Sequence, residues 1–242
     1  MTFAAIHSES GIRWHYPFAL KMERGLRELG FQTIITNARC RVDCDFAVLL
    51  GTTLWRDIEA TGPYLLVDRC SFGDTNEWVS LVWNGHGARG DHRVPLNVDG
   101  SRWERIGVPL GVWQMGRNIV LAGQTEPYSP DWPTMNTWYQ THPEATHFRP
   151  HPAQSVANGV LNLPTYTSFE NVGQMITLNS SVAVEAILRG IPTVCDDAGA
   201  MAYPGFAYGA DRLPWIRWLA WTQFHHDEIA LGGPIKHLFD PS

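Results

Sequence analysis

The segment Met175–Asp197, MITLNSSVAVEAILRGIPTVCDD, is compatible with few folds. It opens on a short apolar run, Met175–Leu178, that suits a buried parallel strand. Asn179, Ser180 and Ser181 follow, and each can cap a helix. Val182, Val184, Ala186, Ile187 and Leu188 then make a compact helix packed on several sides. Gly190 ends it and Pro192 forbids its return. Ile191–Cys195 reads as the next strand, which Asp196 and Asp197 leave. The pattern predicts a strand–helix–strand unit of a doubly wound sheet with small hydroxyl residues at the helix start. Unpaired N–H groups and a positive partial charge there suit an anion, phosphate above all. The same residues also suit an ordinary capped helix.

Taken from its beginning, the chain alternates strand and connection. Phe3–Ile6 reads as a strand, followed by the polar loop His7-Ser8-Glu9-Ser10-Gly11. A helix is expected from about Pro17 to Leu29, closed by Gly30. Gln32–Thr36, Phe46–Leu50 and Tyr64–Val67 read as further strands; the third ends at Gly51-Thr52-Thr53 and the fourth at Asp68-Arg69. This alternation predicts a parallel sheet of the α/β class. Residues 71–110 read as loop-rich, with turn chemistry at Asn84-Gly85-His86-Gly87 and Arg89-Gly90-Asp91-His92. A second alternating block begins near Gly111. Its strand Ile119–Ala122 ends at Gly123-Gln124, a helix is expected near Trp132–Thr141, and a short strand around Thr146–Phe148 leads into Arg149-Pro150-His151-Pro152. Residues 153–174 read as connection. Leu213–Leu231 carries Trp215, Trp218, Leu219, Phe224 and Ile229 at helical spacings, which predicts closing helices that return toward the first half. Two α/β domains follow, 1–110 and 111–242, with the break near residues 105–116.

Composition narrows the function. The chain has 242 residues, enough for one large domain or two small ones. A formal charge of −6 gives no broad basic footprint for duplex nucleic acid. Eleven tryptophans suit cores, seams or flat rings such as sugars and bases. MTFAAIHSES has no basic or long apolar stretch, so no signal peptide is expected, and no run of about 18 apolar residues predicts a membrane span. The expectation is a cytoplasmic protein with reduced Cys40, Cys44, Cys70 and Cys195. Cys40 and Cys44 lack the second pair that zinc needs. Asp43-Cys44-Asp45 precedes a strand rather than ending one, and Asp196-Asp197 is no DxD, so no metal site is expected.

His151 stands between Pro150 and Pro152, which fix the backbone and hold the ring in one direction. Such a ring suits a contact to phosphate; a surface histidine in a proline-rich loop is the plainer alternative. VLAGQTE at 120–126, FRPHP at 148–152 and LNSSVAVEAILRGIPTV at 178–194 resemble, in order and spacing, the GQ, HP and serine motifs of GT-B glycosyltransferases. The likeness extends over roughly residues 60–200. It is nearest to capsule-polysaccharide Kdo transferases and related bacterial sialyltransferases, and sugar-transferase-like proteins of bacteriophages are also similar.

The resemblance implies two Rossmann-like domains in a compact GT-B arrangement, with a nucleotide-sugar held by the second. Gly123, Gln124, Arg149, His151, Asn179, Ser180, Ser181 and Glu185 would line the donor side, and Ser10, Gly11 and Arg69 the acceptor side. The family's acidic-acidic-Gly-Phe segment corresponds to Val67-Asp68-Arg69-Cys70. Arg69 stands where the base would be, and a guanidinium cannot be a general base. The base is then expected to be Asp68 or Asp74, although a local Asp68–Arg69 ion pair is an equally simple reading. The implied reaction transfers a sugar to a glycan or small-molecule hydroxyl. His151, the serines and the helix dipole would hold the leaving phosphate without metal or further cofactor. Two other readings stand beside it. One is a phage-type enzyme, in the host cytoplasm, glycosylating a hydroxymethylated base in DNA; Arg89, His92, Arg93, Arg102 and Arg105 favour it. The other is a non-catalytic nucleotide-binding protein on the same fold, favoured by Arg69.

Overall fold

A computed structural model describes residues 2–52, 58, 62–74, 76–95, 97–124, 132–152 and 162–239. Thr53, Thr125, Glu126 and residues 153–161, on which parts of the sequence reading fall, lie outside the described residues. The chain forms two compact units, one of residues 1–108 with 213–242, the other of residues 109–212.

In the first unit, β1 (Phe3–His7), β2 (Gln32–Thr36), β3 (Phe46–Leu50) and β4 (Tyr64–Arg69) come first in the chain, with α1 (His15–Glu28) between β1 and β2. β5 (Trp78–Trp83), α2 (Ser101–Ile106), α5 (Leu213–Ala220), β11 (Gln223–His225), α6 (His226–Ala230) and α7 (Gly233–Phe239) complete it. Among the described residues the sheet order is β11-β5-β4-β3-β1-β2. β2, β1, β3 and β4 run parallel; β5 and β11 are antiparallel additions. β3 is buried at every residue, as a central strand covered on both faces must be. Its alternate side chains feed two cores: Phe46, Val48 and Leu50 pack with Phe18, Met22 and Leu26 of α1, whereas Ala47 and Leu49 pack with Ile58, Leu66 and Val82. Each fully buried Leu or Phe contributes about 1.5–3 kcal/mol.

Two expectations are corrected here. Residues 71–110 are not only loop; they contain β5 and α2, and WVSLVW pairs with β4 from Leu65↔Trp83 to Arg69↔Val79. Its glycine- and asparagine-rich flanks made the turn signals outweigh a short apolar strand. Residues 213–231 are not only helix, because Gln223–His225 pairs antiparallel with Trp78–Ser80. That pairing, and α6 packing on α1, places the last 30 residues in the first unit rather than with residues 111–212. Gly25 of α1 makes room for this, since a Cβ there would lie 2.0 Å from Ile229 O.

The second unit contains β6 (Asn118–Ala122), α3 (Trp132–Gln140), β7 (His147–Arg149), β8 (Val172–Thr177), α4 (Val182–Leu188), β9 (Thr193–Cys195) and β10 (Gly205–Phe206). Among the described residues its sheet order is β10-β9-β8-β6-β7, parallel except for β10. Val120, Ala122 and Met175 face Ala186 and Ile191, while Leu121 and Ile176 face Met135, Tyr139 and Phe148. The strand–helix–strand reading of residues 175–197 thus corresponds to β8-α4-β9. Both sheets have the mixed, parallel-rich form of Rossmann-like units. No helix of the described residues is long and apolar enough to cross a membrane.

Candidate functional site

In doubly wound sheets ligands sit beyond the carboxyl ends of the strands, where the strand order reverses. In the second unit that point lies between β6 and β8, which share a border while β7 continues on the far side of β6. Gly123 and Gln124 leave β6 there. A Cβ on Gly123 would come within 2.9 Å of Phe148 Cζ, so only glycine passes without displacing that ring. Gln124 is buried and its Nε2 donates to Asn179 Oδ1 at 2.8 Å. Asn179 Nδ2 donates onward to Asp197 Oδ2 at 2.9 Å, and Asp197 Oδ1 accepts from Gly199 N–H at 2.8 Å. The ends of β6, β8 and β9 are therefore tied by one chain of side-chain hydrogen bonds, whose orientation the terminal carboxylate sets.

The serines behave differently from one another. Ser180 is buried, and its Oγ accepts from Val182 N–H at a long 3.4 Å; Ser181 is exposed and its side chain caps nothing. Ala183 and Val184 donate to the Ser180 and Ser181 carbonyls, and Ser180 N–H to Thr177 Oγ1. The first turn of α4 thus satisfies much of its own donor set, so an anion there would depend on hydroxyls more than on backbone N–H groups. Glu185 pairs with Arg189 at 2.9 Å. Arg149 donates to Thr167 O and stacks on Phe169, 4.6 Å from the ring centroid, with Arg189 stacked on the same ring at 4.7 Å. Arg149 and Glu185 are thus partly engaged in a surface network. His151 follows β7 and is half-buried, and burial holds its pKa below the ordinary histidine value, which makes the ring neutral near pH 7. A neutral imidazole offers one N–H and one lone pair.

In the first unit the strand order reverses between β1 and β3. Asp68, at the end of β4, accepts from Arg69 N–H at 2.8 Å, and its Oδ2 lies 3.4 Å from His86 Nε2. It faces an imidazole that the sequence reading did not pair with it. Asp74 sits in an exposed turn, where its Oδ1 accepts from Asn76 N–H and Asn76 Nδ2 at 2.8 and 2.9 Å. Arg69 is exposed at the end of β4. Ser10 and Gly11 are exposed in the loop after β1, Gly11 with φ +114°. Cys70 is buried, and burial pushes its thiol pKa up to about 12, so it is inert.

The basic residues that favoured a DNA substrate are largely employed within the unit. Buried Arg102 donates to Ala220 O, Gln223 O and Glu228, and Arg105 pairs with Glu228. Arg93 pairs with Asp91 and donates to Leu238 O. Both ring nitrogens of buried His92 face carbonyls, Leu81 O at 2.9 Å and Gly87 O at 3.0 Å.

Sequence reading missed several residues at these edges. Asp196 accepts from Trp138 Nε1 at 2.7 Å and His142 Nε2 at 2.9 Å, fastening α3 to the end of β9. In the first unit His7 closes β1, Glu9 N–H donates to His15 Nδ1 at 3.0 Å, and Thr52 follows β3. A histidine closing an apolar strand, FAAIH, was the available signal. Among the described residues no three His, Cys, Asp or Glu side chains converge as a metal site.

No protein-family model matches the sequence, and no curated protein sequence matches it. Among solved structures, the fold is similar to that of Thermosulfurimonas dismutans KpsC, a beta Kdo 2,7 transferase, with a TM-score of 0.51 and 13% identity over 98% of this chain and 100% of that one. The chain thus shares a glycosyltransferase-like fold.

Proposed function

We propose that the protein is a GT-B glycosyltransferase that moves a sugar from a nucleotide-sugar donor to a hydroxyl acceptor. The observation that carries this reading is the edge of the second sheet. There Gly123, the Gln124–Asn179–Asp197 chain, Ser180, Ser181 and His151 follow strands β6, β7, β8 and β9, at the position where α/β sheets hold nucleotides. The likeness to a Kdo transferase supports the same reading at the level of fold. In this proposal the donor's phosphate takes its hydrogen bonds from His151 and the two serine hydroxyls. Charge developing on the leaving phosphate strengthens those bonds, which lowers the barrier. The acceptor is a glycan or small molecule.

Thermal unfolding in the presence of a panel of nucleotides and nucleotide-sugars tests the proposal. A ligand present at 100 times its Kd adds about 2.7 kcal/mol. His151→Ala is expected to keep the fold and to weaken the best nucleotide by roughly 1.5–3 kcal/mol, as loss of a hydrogen bond to a charged group does. Calorimetry on the folded variant that shows wild-type affinity would make His151 structural.

A further inference from the structure

We propose that β2 is a docking edge for a second copy of this chain, and that two copies join their first units into one continuous sheet across an antiparallel β2–β2 pair. The inference uses residues of the first unit alone and is independent of the transferase reading.

β2 ends the six-stranded sheet, with β1 on one side and no described strand on the other. Gln32 N–H donates to Thr2 O, and Ser8 N–H donates to Thr36 O, so Gln32, Ile34 and Thr36 turn their main-chain groups toward β1. The direction of these groups alternates along a strand, so those of Thr33 and Ile35 point out of the sheet. Among the described residues nothing bonds them. An open edge of this kind is a template for another strand, and proteins ordinarily blunt it with lysine, proline, a bulge or a covering segment. QTIIT has neither charge nor proline. Its register on β1 runs unbroken from Phe3↔Gln32 to His7↔Thr36, and Gln32 and Ile34 are exposed.

α1 extends the same edge. Thr33 Oγ1 accepts from Arg27 Nε at 2.9 Å and donates to Glu23 Oε1 at 3.3 Å, so the stripe of α1 that borders β2 carries Glu23 and Arg27. Leu20 and Tyr16 continue that stripe at helical spacing, 45% and 60% exposed. Ile34 adds a third large apolar side chain, 43% exposed.

The arrangement of charge selects a second copy as the occupant. The strand itself is neutral, exposed Glu28 precedes it and exposed Arg39 follows it. Arg39 pairs with Glu9 at 2.9 Å and still keeps most of its side chain in solvent. A two-fold axis at Ile34 reverses one strand against the other, so the acidic flank of each copy meets the basic flank of its partner. A parallel pair would set like charges together and leave the contact open-ended. In the two-fold arrangement Thr33 of each copy exchanges both main-chain bonds with Ile35 of the other. Ile34 then faces its own counterpart at the non-hydrogen-bonded position, where side chains come closest and cover each other.

Sedimentation equilibrium of the full chain tests the proposal. Reversible dimerisation is expected, and a chain that stays monomeric up to about 1 mM overturns the idea. Ile34→Lys puts a charge on the axis in place of an exposed side chain. Thr33→Pro removes an outward N–H and no bond to β1. Each should raise the dimer Kd about tenfold or more with Tm near that of wild type. A wild-type Kd in Ile34→Lys moves the contact to another surface and overturns the proposal. Charge reversal tests the antiparallel register. Glu28→Arg and Arg39→Glu should each weaken the dimer severalfold at low ionic strength. An equimolar mixture of these two variants should recover wild-type affinity, because opposite charges meet again at both flanks. A mixture that associates no more tightly than the separate variants overturns the two-fold pairing.

Discussion

Arg102 shows how a single side chain can hold the far end of a chain in place. Its Nε donates to Ala220 O, at the end of α5, at 2.7 Å and its Nη2 to Gln223 O, in β11, at 2.5 Å, while Glu228 closes the fork at 2.9 Å. Its guanidinium also lies over Phe224, 4.7 Å from the ring centroid. Arg102→Leu would orphan two carbonyls and leave Glu228 with Arg105 and the His225 N–H. Loss of one partner from a buried pair costs about 3–5 kcal/mol, and the partial exposure of Glu228 puts this case near the lower figure, about 3 kcal/mol. Urea unfolding should show that drop with an unchanged m value; a loss below about 1 kcal/mol would mean the fork is dispensable. Arg102 was legible in the sequence only as a positive charge, because its partners lie more than a hundred residues away. His7 was similarly read as the first residue of a polar loop, since nothing local reveals which ring nitrogen a distant carbonyl will occupy. Gln124, Asn179 and Ser180 were named from their motifs, but the Gln124–Asn179–Asp197 chain depends on the sheet bringing three strand ends together.

At the scale of elements, α4 separates two roles that its sequence merges. Ser181 caps no N–H, so Ser181→Ala should leave stability unchanged, whereas Ser180→Ala removes a long bond to Val182 N–H and should cost at most about 1 kcal/mol. If the hydroxyls hold a donor phosphate, the double variant loses nucleotide affinity beyond its small loss of stability. Paired titration and unfolding measurements on both single variants and the double variant separate these outcomes; wild-type affinity throughout would assign the serines to the helix alone. β2 and β3 were legible in the sequence to the residue; β3 is covered on both faces and so is a continuous apolar run, whereas β2 is a half-exposed strand at the sheet edge. β5 and β11 escaped for two physical reasons. β5 lies amid turn-forming residues, and β11 is three residues whose strand character comes from its partner.

At the scale of the whole molecule, acid sensitivity is distributed unevenly. His7, His15, His92 and His226 all belong to the first unit, and burial lowers each pKa, that of His226 to about 4. A group with a lowered folded pKa binds fewer protons folded than unfolded, so stability is full above about pH 6.5 and falls as pH drops from there toward 4. Below that range Glu228, whose pKa lies under the usual carboxylate value with Arg102 and Arg105 beside it, adds to the loss. Denaturant unfolding at pH 7.5, 6 and 5 should show the decline, and His226→Phe, which puts an apolar ring beside Phe18, should flatten it. An equal slope in that variant would remove His226 from the account.

The second unit is one uninterrupted stretch, residues 109–212, lying between two pieces of the first. Arg212 closes it by donating to Gly111 O at 2.7 Å and to Ile187 O at 2.5 Å, and by stacking 4.1 Å from the Trp113 ring centroid. During synthesis a chain emerges from its amino end, and domains generally fold as they are completed. Here the inner unit is complete once Arg212 has left the ribosome, while the outer one still lacks β11 and its closing helices. Birth order and position are thus reversed: the part encoded in the middle matures first, and the part that begins the chain waits for its last residues. A peptide of residues 109–212 should therefore give a cooperative melt by itself, and one of residues 1–108 should not. Cooperative unfolding of the 1–108 peptide would show that the early half needs no help from the chain's end.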